Sequence, residues 1–379
     1  VYPYFREIEG KQGTEVEMGG HKVLMFGSNA YTGLTGDERV IEAGINAMRK
    51  YGSGCAGSRF LNGTLDLHVQ LEKELATFVG KDEALCFSTG FTVNSGVISC
   101  LTDRNDYIIC DDRDHASIVD GRRLSFSQQL KYKHNDMADL QRLLETEIVT
   151  GQRFIVTDGV FSMDGDIADL PSLAVLKKQF NACLIVDDAH GVGVIGNDGS
   201  GTASHYGLTD VIDLQVGTLS KALAAEGGYV AGKKILIDYL INRSRPFIFS
   251  TALAPATLAA ANAALLLLQT QASKYLDSLR ANSRLMRRLL LEGGLNVVEG
   301  ITPIIPVVIG EAGLTMQFAD RLKSKGILVS GIRPPTVPRG ESRLRITVTA
   351  AHCEEQLRQA AQIITALWQE LKHGEKKEG

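Results

Sequence analysis

An amine, a carboxylate and an imidazole follow apolar runs at two places in this sequence. Asp187 and His190 come after the apolar run 184–186, and Lys221 follows a second run at 211–216. The ends of such strand-like runs are where α/β sheets place their ligands. A lysine amine can form a Schiff base with an aldehyde, a carboxylate can keep a ring nitrogen protonated, and an imidazole can meet a phenolic oxygen. These groups together suit pyridoxal phosphate (PLP) as a cofactor.

The residues beside this trio leave other interpretations open. Asp187 and Asp188 could cap a helix or form half of a metal site, but we expect no metal because no further ligand cluster is evident. Side chains alternate along a strand, so only one of the two acids should face the strand-end cleft. Lys221 alone would be an ordinary solvated lysine. The hydroxyls of Thr218 and Ser220 favour a functional role, because they suit a nearby phosphate.

Two further segments follow strand-like runs. Thr89, Gly90 and Phe91 lie between the run 84–87 and a helix-like stretch. Glycine and a helix N-terminus favour an anion there, although strand–turn–helix junctions are common. His115 follows the run 107–110 and could stack on an aromatic cofactor, or it could cap or pack locally.

Two arginines alternate with apolar residues near the C-terminus. Arg343 and Arg345 flank Leu344, and a guanidinium suits bidentate recognition of a carboxylate. We expect one arginine to face a cleft and the other to face solvent or a partner. The spacing does not decide which of them binds.

The composition is that of an ordinary globular enzyme. The 379 residues are 44% hydrophobic and 22% charged, and this length predicts two domains. The net charge of −4 gives no global electrostatic reason to expect nucleic acid. No apolar stretch is long enough for an integral membrane segment. The six cysteines form no C-x-x-C pair and predict buried free thiols in a reducing cytoplasm.

Short β-branched runs alternate with helical patterns between about residues 65 and 235, which predicts an α/β fold with a mostly parallel central sheet flanked by helices. The helical stretch 67–78 should stop at Gly80. After residue 250, helices are expected at 255–269, 275–293 and 354–371, with strands between them, as in a smaller α+β C-terminal domain. The predicted domains are an N-terminal segment 1–40, a large domain 41–265 and a small domain 266–379. The expected strands of the large domain are 84–87, 107–110, 154–156, 184–186, 214–216 and 229–231.

With these motifs in place, nearly the whole chain resembles the α-oxoamine synthases, PLP enzymes of fold type I, the fold of aspartate aminotransferase. The resemblance implies a decarboxylative condensation of a small L-amino acid with an acyl-CoA, giving an α-aminoketone, CoA and CO₂. It also implies a homodimer with shared active sites. An aminotransferase, or a non-catalytic PLP-fold subunit, is a more remote alternative.

The resemblance assigns roles to individual residues. Lys221 is similar to the Schiff-base lysine, Asp187 to the partner of the pyridine nitrogen and His190 to the partner of the ring oxygen. The resemblance further implies that His115 stacks on the ring, that Thr89, Gly90 and Phe91 form a loop beside the cofactor, and that Thr218 and Ser220 contact the phosphate. Thr251 is similar to a phosphate contact donated by the other subunit. Asn29 and Tyr31 are similar to the edge of the active site, and Arg345 to the arginine that binds the substrate carboxylate.

Two branches of the family are represented in the motifs. The segments 24–29 and 54–64 are similar to the branch that condenses L-serine with a long-chain acyl-CoA in sphingolipid synthesis. The segments 245–251 and 331–338 are similar to the branch that condenses L-alanine with a pimeloyl thioester in biotin synthesis. The early motifs are the more distinctive, so serine and a long acyl chain are expected, with alanine and pimeloyl as the alternative.

Overall fold

The computed structural model describes residues 4–146 and 150–378, with side chains as far as residue 372. The chain groups into two compact units, and neither is continuous in sequence. The larger unit comprises Asp37–Phe161 and Ile167–Ala272. The smaller unit comprises Val1–Gly36, Ser162–Asp166 and Ser273–Gly379. The boundaries predicted from the sequence, at residues 40 and 265, are not tested by this division and stay a prediction.

The described residues form three sheets and their flanking helices. The strands are β1 (Glu15–Met18), β2 (His21–Met25), β3 (Glu83–Phe87), β4 (Tyr107–Asp111), β5 (Gln128–Tyr132), β6 (Arg153–Asp158), β7 (Cys183–Asp187), β8 (Leu214–Thr218), β9 (Gly228–Gly232), β10 (Ile304–Gly310), β11 (Ile327–Leu328), β12 (Ser330–Ile332) and β13 (Ser342–Thr347). The helices are α1 (Glu38–Tyr51), α2 (Asp66–Val79), α3 (Gly90–Leu101), α4 (Ala116–Arg123), α5 (Met137–Thr146), α6 (Leu170–Gln179), α7 (Thr202–Tyr206), α8 (Lys234–Arg243), α9 (Arg245–Ile248), α10 (Pro255–Glu292), α11 (Ala312–Ser324) and α12 (Glu354–Glu378).

The larger unit is built on a seven-stranded sheet in the order β3-β9-β8-β7-β6-β4-β5. Strands β5, β4, β6, β7 and β8 pair in parallel, whereas β9 is antiparallel to both of its neighbours. The predicted mostly parallel sheet is therefore confirmed. Strand β5 was missed because its sequence is mostly polar and its burial is confined to one end, at Tyr132.

Alternation along the central strands supplies an apolar surface to each face of the sheet. Ile108 and Ile185 belong to one buried cluster, together with Val93 and Val97 of α3. The residues next to them in sequence, Ile109 and Leu184, belong to a second buried cluster that includes residues of α5 and α6. Both faces are thus covered, as buried parallel sheets require.

Close glycine packing fixes where α3 begins. A Cβ on Gly228 would lie 2.6 Å from Gly90 Cα and 2.8 Å from Val93 Cγ2. A Cβ on Gly90 would in turn lie 3.0 Å from Thr218 Oγ1. The N-terminus of α3 therefore approaches the ends of β8 and β9 more closely than any larger residue would allow.

The smaller unit has a core of its own. Strands β10, β13 and β12 form an antiparallel sheet, and β1, β2 and β11 form a mixed sheet. Its buried cluster includes Phe26, Phe318, Leu344 and Trp368, contributed by segments far apart in sequence. Strand β2 pairs in parallel with β11, so the N-terminal residues are bound by backbone hydrogen bonds to residues beyond 300.

Local predictions can be compared with these elements. The predicted helix 67–78 is α2, and Gly80 ends it in the left-handed conformation with φ of 66°. The two predicted helices at 255–269 and 275–293 are one element, α10, interrupted by non-helical angles at Gln271. The cysteines are free, and three of them are buried as expected, but Cys100 and Cys183 are only partly buried and Cys353 is exposed. In the described part of the chain, no helix combines the length and apolar character needed to span a bilayer.

The glycine packing can be tested by adding a single methyl group. Gly228→Ala should lower the free energy of unfolding by about 1–3 kcal/mol, because the new Cβ overpacks the start of α3. Urea unfolding measures the change. Gly54→Ala is the matched control, because a Cβ there meets nothing within 4 Å. Equal stability of the two variants would contradict this account of the packing.

Candidate functional site

The strand ends of the larger unit surround a cavity of about 320 Å³. Parallel strands β6, β7 and β8 end side by side there, and the N-terminus of α3 faces the same space. Nine of the predicted site residues, which the sequence places in separate segments, come together in its wall. The lining residues are Thr89, Gly90, Phe91, His115, Ser117, Asp158, Asp187, Ala189, His190, Val216, Gly217, Thr218, Ser220, Lys221, Glu226 and Gly227.

Lys221 lies in the loop 219–227 that joins the antiparallel strands β8 and β9. The ends of the loop are held together by the Leu219 N–H, which donates to the Gly227 carbonyl at 3.0 Å. Lys221 Nζ lies 2.9 Å from His190 Nε2. The amine and the imidazole predicted to serve one cofactor are therefore in hydrogen-bonding contact.

The two adjacent acids after β7 point in different directions. Asp187 lines the cavity, and its Oδ1 accepts the Ala189 N–H at 3.0 Å. Asp188 is fully buried, and its carboxylate accepts the Thr202 N–H at 2.7 Å and a Gln215 amide hydrogen at 3.0 Å. Asp188 thus holds the loop before α7, whereas Asp187 is the acid that faces the cavity.

His115 forms the N-cap of α4 and also lines the cavity. Its backbone N–H donates to Asp158 Oδ2 at 2.8 Å, and its Nδ1 lies 2.8 Å from Ser117 Oγ. Burial lowers the pKa of His115, which Asp187 partly opposes, so the neutral ring is favoured. The sequence presented stacking on a cofactor and local capping as alternatives, and His115 caps α4 while its side chain also lines the cavity.

Asp158 is a cavity residue that sequence reasoning missed. Its backbone N–H donates to Asp114 Oδ1 at 2.9 Å, so the two buried acids are linked. Burial raises the pKa of both carboxyl groups well above the usual range, and neighbouring carboxylates raise them further. Asp158 ends a strand-like run just as Asp187 does, and that position was the available signal.

Another part of the wall offers donors for an anion. Thr89 caps α3, where its side chain accepts the Thr92 N–H at 3.1 Å, and Gly90 is the first helical residue. Thr218 Oγ1 and Ser220 Oγ lie 2.8 Å apart. A helix N-terminus beside two hydroxyls suits a phosphate group, because the helix amides and its dipole favour negative charge.

Three predicted substrate residues are brought together within the smaller unit. Arg345 Nη2 donates to Asn29 Oδ1 at 3.1 Å, and the Tyr31 hydroxyl donates to the same oxygen at 3.3 Å. Arg345 Nε also donates to the Ser162 carbonyl at 2.6 Å. Burial raises the pKa of the Tyr31 phenol, which the nearby guanidinium partly opposes.

The expectation that one arginine would face solvent is wrong. Arg343 and Arg345 are both buried, with 2% and 5% exposure. Residues two apart on a strand share one face, and both arginines lie on β13. Arg343 contacts Asp164 and donates to Glu341 Oε2 at 2.9 Å, so its charge is compensated inside the unit.

Thr251 is not among the residues that line the cavity. It is exposed, and it forms an isolated backbone bridge with Ser58. Phe60, Leu61 and Phe249, close to this bridge in sequence, are each 73% exposed.

One group of the described residues is close enough to share a metal ion: Asp111, Asp112 and His134. Its central acid already has partners. Asp111 Oδ1 accepts the Arg113 N–H at 2.9 Å, and Oδ2 accepts the Asn135 N–H at 2.8 Å. The cluster is therefore accounted for as a link between two loops.

Comparisons with known proteins agree on the family. The family model for class I and II aminotransferases matches residues 21–364. The chain is 57% identical over 371 residues to a serine palmitoyltransferase of Bacteroides thetaiotaomicron, covering 98% of this chain and 94% of that protein. It is 48% identical over 344 residues to an 8-amino-7-oxononanoate synthase of Lysinibacillus sphaericus, covering 91% and 88%.

A solved structure agrees with the sequence comparisons. Serine palmitoyltransferase from S. paucimobilis, with a bound PLP–myriocin aldimine, superimposes with a TM-score of 0.95 at 31% identity. The match covers 98% of this chain and 94% of that one.

The buried acid Asp188 should leave a signature in the pH dependence of stability. Burial raises its pKa from 3.8 to about 7, so the folded state holds this proton more tightly than the unfolded chain does. The resulting stabilisation is present below about pH 4 and is lost as the pH rises to about 7. In Asp188→Asn, the free energy of unfolding should fall less steeply across this window, by up to about 1.4 kcal/mol per pH unit.

Urea unfolding at several pH values measures this slope. Glu83→Gln, the same carboxylate-to-amide change at an exposed position, is the control and should keep the parent slope. A parental slope in Asp188→Asn would remove Asp188 from this role.

Proposed function

Because this chain belongs to the α-oxoamine synthases, within the class I and II aminotransferase family, we propose that it catalyses the serine palmitoyltransferase reaction. L-serine and a long-chain acyl-CoA would give 3-ketodihydrosphingosine, CoA and CO₂. The main structural support for this proposal is the cavity in which Lys221 contacts His190 and which Asp187 also lines. The choice of serine and a long acyl chain is supported by 57% identity to the Bacteroides enzyme over 98% of this chain.

The cavity residues fit PLP in both charge and donor type. The helix N-terminus at Gly90, with Thr218 and Ser220, offers donors for the phosphate. The glycines at 90, 217 and 227 keep the wall open for a flat ring. Asp187 would hold the proton of the pyridine nitrogen, and His190 would meet the ring oxygen. Bound there, PLP supplies a cationic ring that stabilises negative charge at the α-carbon of the substrate.

The chain's own residues supply proton transfer. Lys221 Nζ would accept the α-proton of serine and return it after CO₂ has left, and His190 at 2.9 Å orients the amine. The α-carbon forms its new bond to the thioester carbonyl as the carbon–sulfur bond breaks, and the CoA sulfur departs with the electron pair. His115, neutral because its pKa is lowered by burial, would cover the reacting centre without adding positive charge.

The proposal assigns the substrate carboxylate to Arg345. Its guanidinium is already ordered by Asn29 and by the Ser162 carbonyl, so little conformational entropy would be lost when a carboxylate binds. Asn29 and Tyr31 would form the edge of the same substrate site.

A homodimer with shared active sites is part of the proposal. Thr251 lies outside the cavity lining, which suits a residue that serves the site of the other subunit. The exposed Phe60, Leu61 and Phe249 near the Ser58–Thr251 bridge suit an apolar interface. We assign the enzyme to the cytoplasm, where its free thiols would stay reduced.

A second candidate is the condensation of L-alanine with a pimeloyl thioester. It is supported by 48% identity to an 8-amino-7-oxononanoate synthase and by the segments 245–251 and 331–338. An aminotransferase would release no thiol, and a non-catalytic subunit would turn over nothing.

The first test removes the amine. Lys221→Ala should lower CoA release by roughly 10²- to 10⁴-fold or more, because nucleophile and base are lost together. Borohydride treatment of the parent should fix the cofactor covalently to the peptide that contains Lys221, as mass spectrometry would record. Lys131→Ala, at an exposed position on β5, is the control and should behave as the parent. Full activity in Lys221→Ala would refute the assignment.

The second test identifies the substrates. Serine, alanine and glycine are each presented with palmitoyl-CoA, a short acyl-CoA and pimeloyl-CoA, and thiol release is measured. Serine with palmitoyl-CoA should give the highest kcat/KM. Preference for alanine with pimeloyl-CoA would replace the proposed reaction by the second candidate. Amino-group transfer to an oxo-acid without thiol release would indicate an aminotransferase.

A further inference from the structure

Asn94 is a fully buried amide on α3, one turn after Gly90. It lies between Val93 and Val97, which pack in the apolar cluster on that face of the sheet. Its Nδ2 donates to Asp187 Oδ2 at 2.6 Å and to Ser117 Oγ at 2.8 Å. One amide group therefore contacts both the acid and the serine that accompanies His115.

The orientation of this amide follows from its partners. A carboxylate oxygen only accepts hydrogen bonds, so the nitrogen of Asn94 must face Asp187. Among the described residues, Asn94 Oδ1 has no hydrogen-bond partner. A buried acceptor without a partner is costly, and an apolar side chain at this position would avoid that cost. The two donated bonds are thus what the amide contributes.

The second donated bond sets the direction of a chain of hydrogen bonds that runs from Asn94 through Ser117 to His115. The backbone N–H of Ser117 donates to His115 Nδ1 at 3.2 Å, so Nδ1 carries a lone pair and no proton. The Ser117 hydroxyl, 2.8 Å from the same nitrogen, must donate to it as well. Because Ser117 Oγ accepts from Asn94, its own hydrogen is directed to the ring. The proton of neutral His115 therefore resides on Nε2.

Close helix packing makes this arrangement possible. Gly121 lies one turn after Ser117 on α4, and a Cβ there would lie 2.7 Å from the Asn94 carbonyl oxygen. Helices α3 and α4 approach closely at this point, which brings Ser117 within reach of the Asn94 amide.

We infer that Asn94 is a positioning residue, whose single buried amide holds Asp187 as an oriented hydrogen-bond acceptor and, through Ser117, holds His115 in the Nε2–H form. The inference rests on the proposed function for the roles of Asp187 and His115. It adds one residue whose side chain links Asp187, proposed to serve the pyridine nitrogen, to His115, proposed to cover the ring. The Asn94 amide would thus fix the orientation of both.

The discriminating variant is Asn94→Asp, which is nearly isosteric but replaces the donor by an acid. At low pH the introduced acid and Asp187 share one proton, and the protonated group can donate as the amide does. As the pH rises the pair loses that proton and the two carboxylates repel each other. The PLP affinity of the full-length protein, relative to the parent, should be nearly unchanged at about pH 5.5 and weaker by about 10-fold or more at about pH 8.5.

Asn94→Ala provides the comparison, because it removes the donor without adding a charge. Its PLP affinity should be weaker than the parent's by a factor that does not change with pH. The parent and both variants share the other titratable groups around Asp187, so their contributions cancel in the ratio. Those groups are Asp114, His115, Asp158, Asp188, His190, Lys221, Glu226 and Tyr229. A purely structural role predicts the opposite order, with Asn94→Asp close to the parent at every pH, and that result would overturn the inference.

A second readout does not depend on the cofactor. Solid-state ¹⁵N NMR of histidine-labelled full-length protein reports which ring nitrogen carries the proton, and the His115 signal is the one lost in His115→Gln. The parent should show Nδ1 without a proton and Nε2 with one. Asn94→Asp at high pH should move the Nδ1 signal further from the protonated range, because the acid takes the hydroxyl hydrogen of Ser117 and only the Ser117 N–H still donates to Nδ1. A proton on Nδ1 in the parent would overturn the inference.

The two readouts separate the possible failures. If the parent binds no PLP but His115 has the expected tautomer, the proposed function fails, whereas the hydrogen bonds from Asn94 through Ser117 to His115 are supported. If the parent binds PLP but the Asn94 variants match it in both readouts, the inference fails alone. Thermal unfolding checks that the variants fold. If Asn94→Asp does not fold, Asn94→Ser, a smaller residue that keeps a polar hydrogen, takes its place and should lose less affinity than Asn94→Ala.

Discussion

Burying a carboxylate at the end of a central strand is the constraint on which this site depends. Asp187 is 6% exposed, and a charge at that depth is costly unless hydrogen bonds compensate it. The next turn of the chain supplies one donor from the Ala189 N–H, and helix α3 supplies another from Asn94. The position of α3 is therefore an electrostatic requirement as well as a matter of apolar packing.

The antiparallel strand β9 explains why Lys221 stays beside that acid. A parallel connection needs a crossover that leaves the sheet end, usually through a helix on one face. The step from β8 to β9 is the loop 219–227 instead, and it stays at the end of the sheet where β6 and β7 also end. One reversal of strand direction thus places the amine next to the carboxylates.

The sequence predicted the elements that depend on local pattern. Apolar runs, and the residues that end them, predicted the buried strands and helix α2 with its stop at Gly80. They also predicted the cavity residues at the ends of β7 and β8. Asn94 and Ser117 could not be found in this way, because each looks like an ordinary helical residue until α3 packs against α4. The polar edge strand β5 was missed because periodicity reports burial and an edge strand has little of it. The prediction that Arg343 and Arg345 face different surroundings was wrong, because residues two apart on a strand point to the same face.

The discontinuity of the two compact units has a consequence for how such a protein can be divided. The chain crosses between them after Gly36, Phe161, Asp166 and Ala272. Truncation at any of these crossings therefore leaves at least one unit without a segment of its own core or sheet. A gene fusion that joined the first half of one relative to the second half of another would have to preserve pairings such as β2 with β11 across the splice. Residues far apart in sequence that pair in one sheet therefore constrain each other's substitutions.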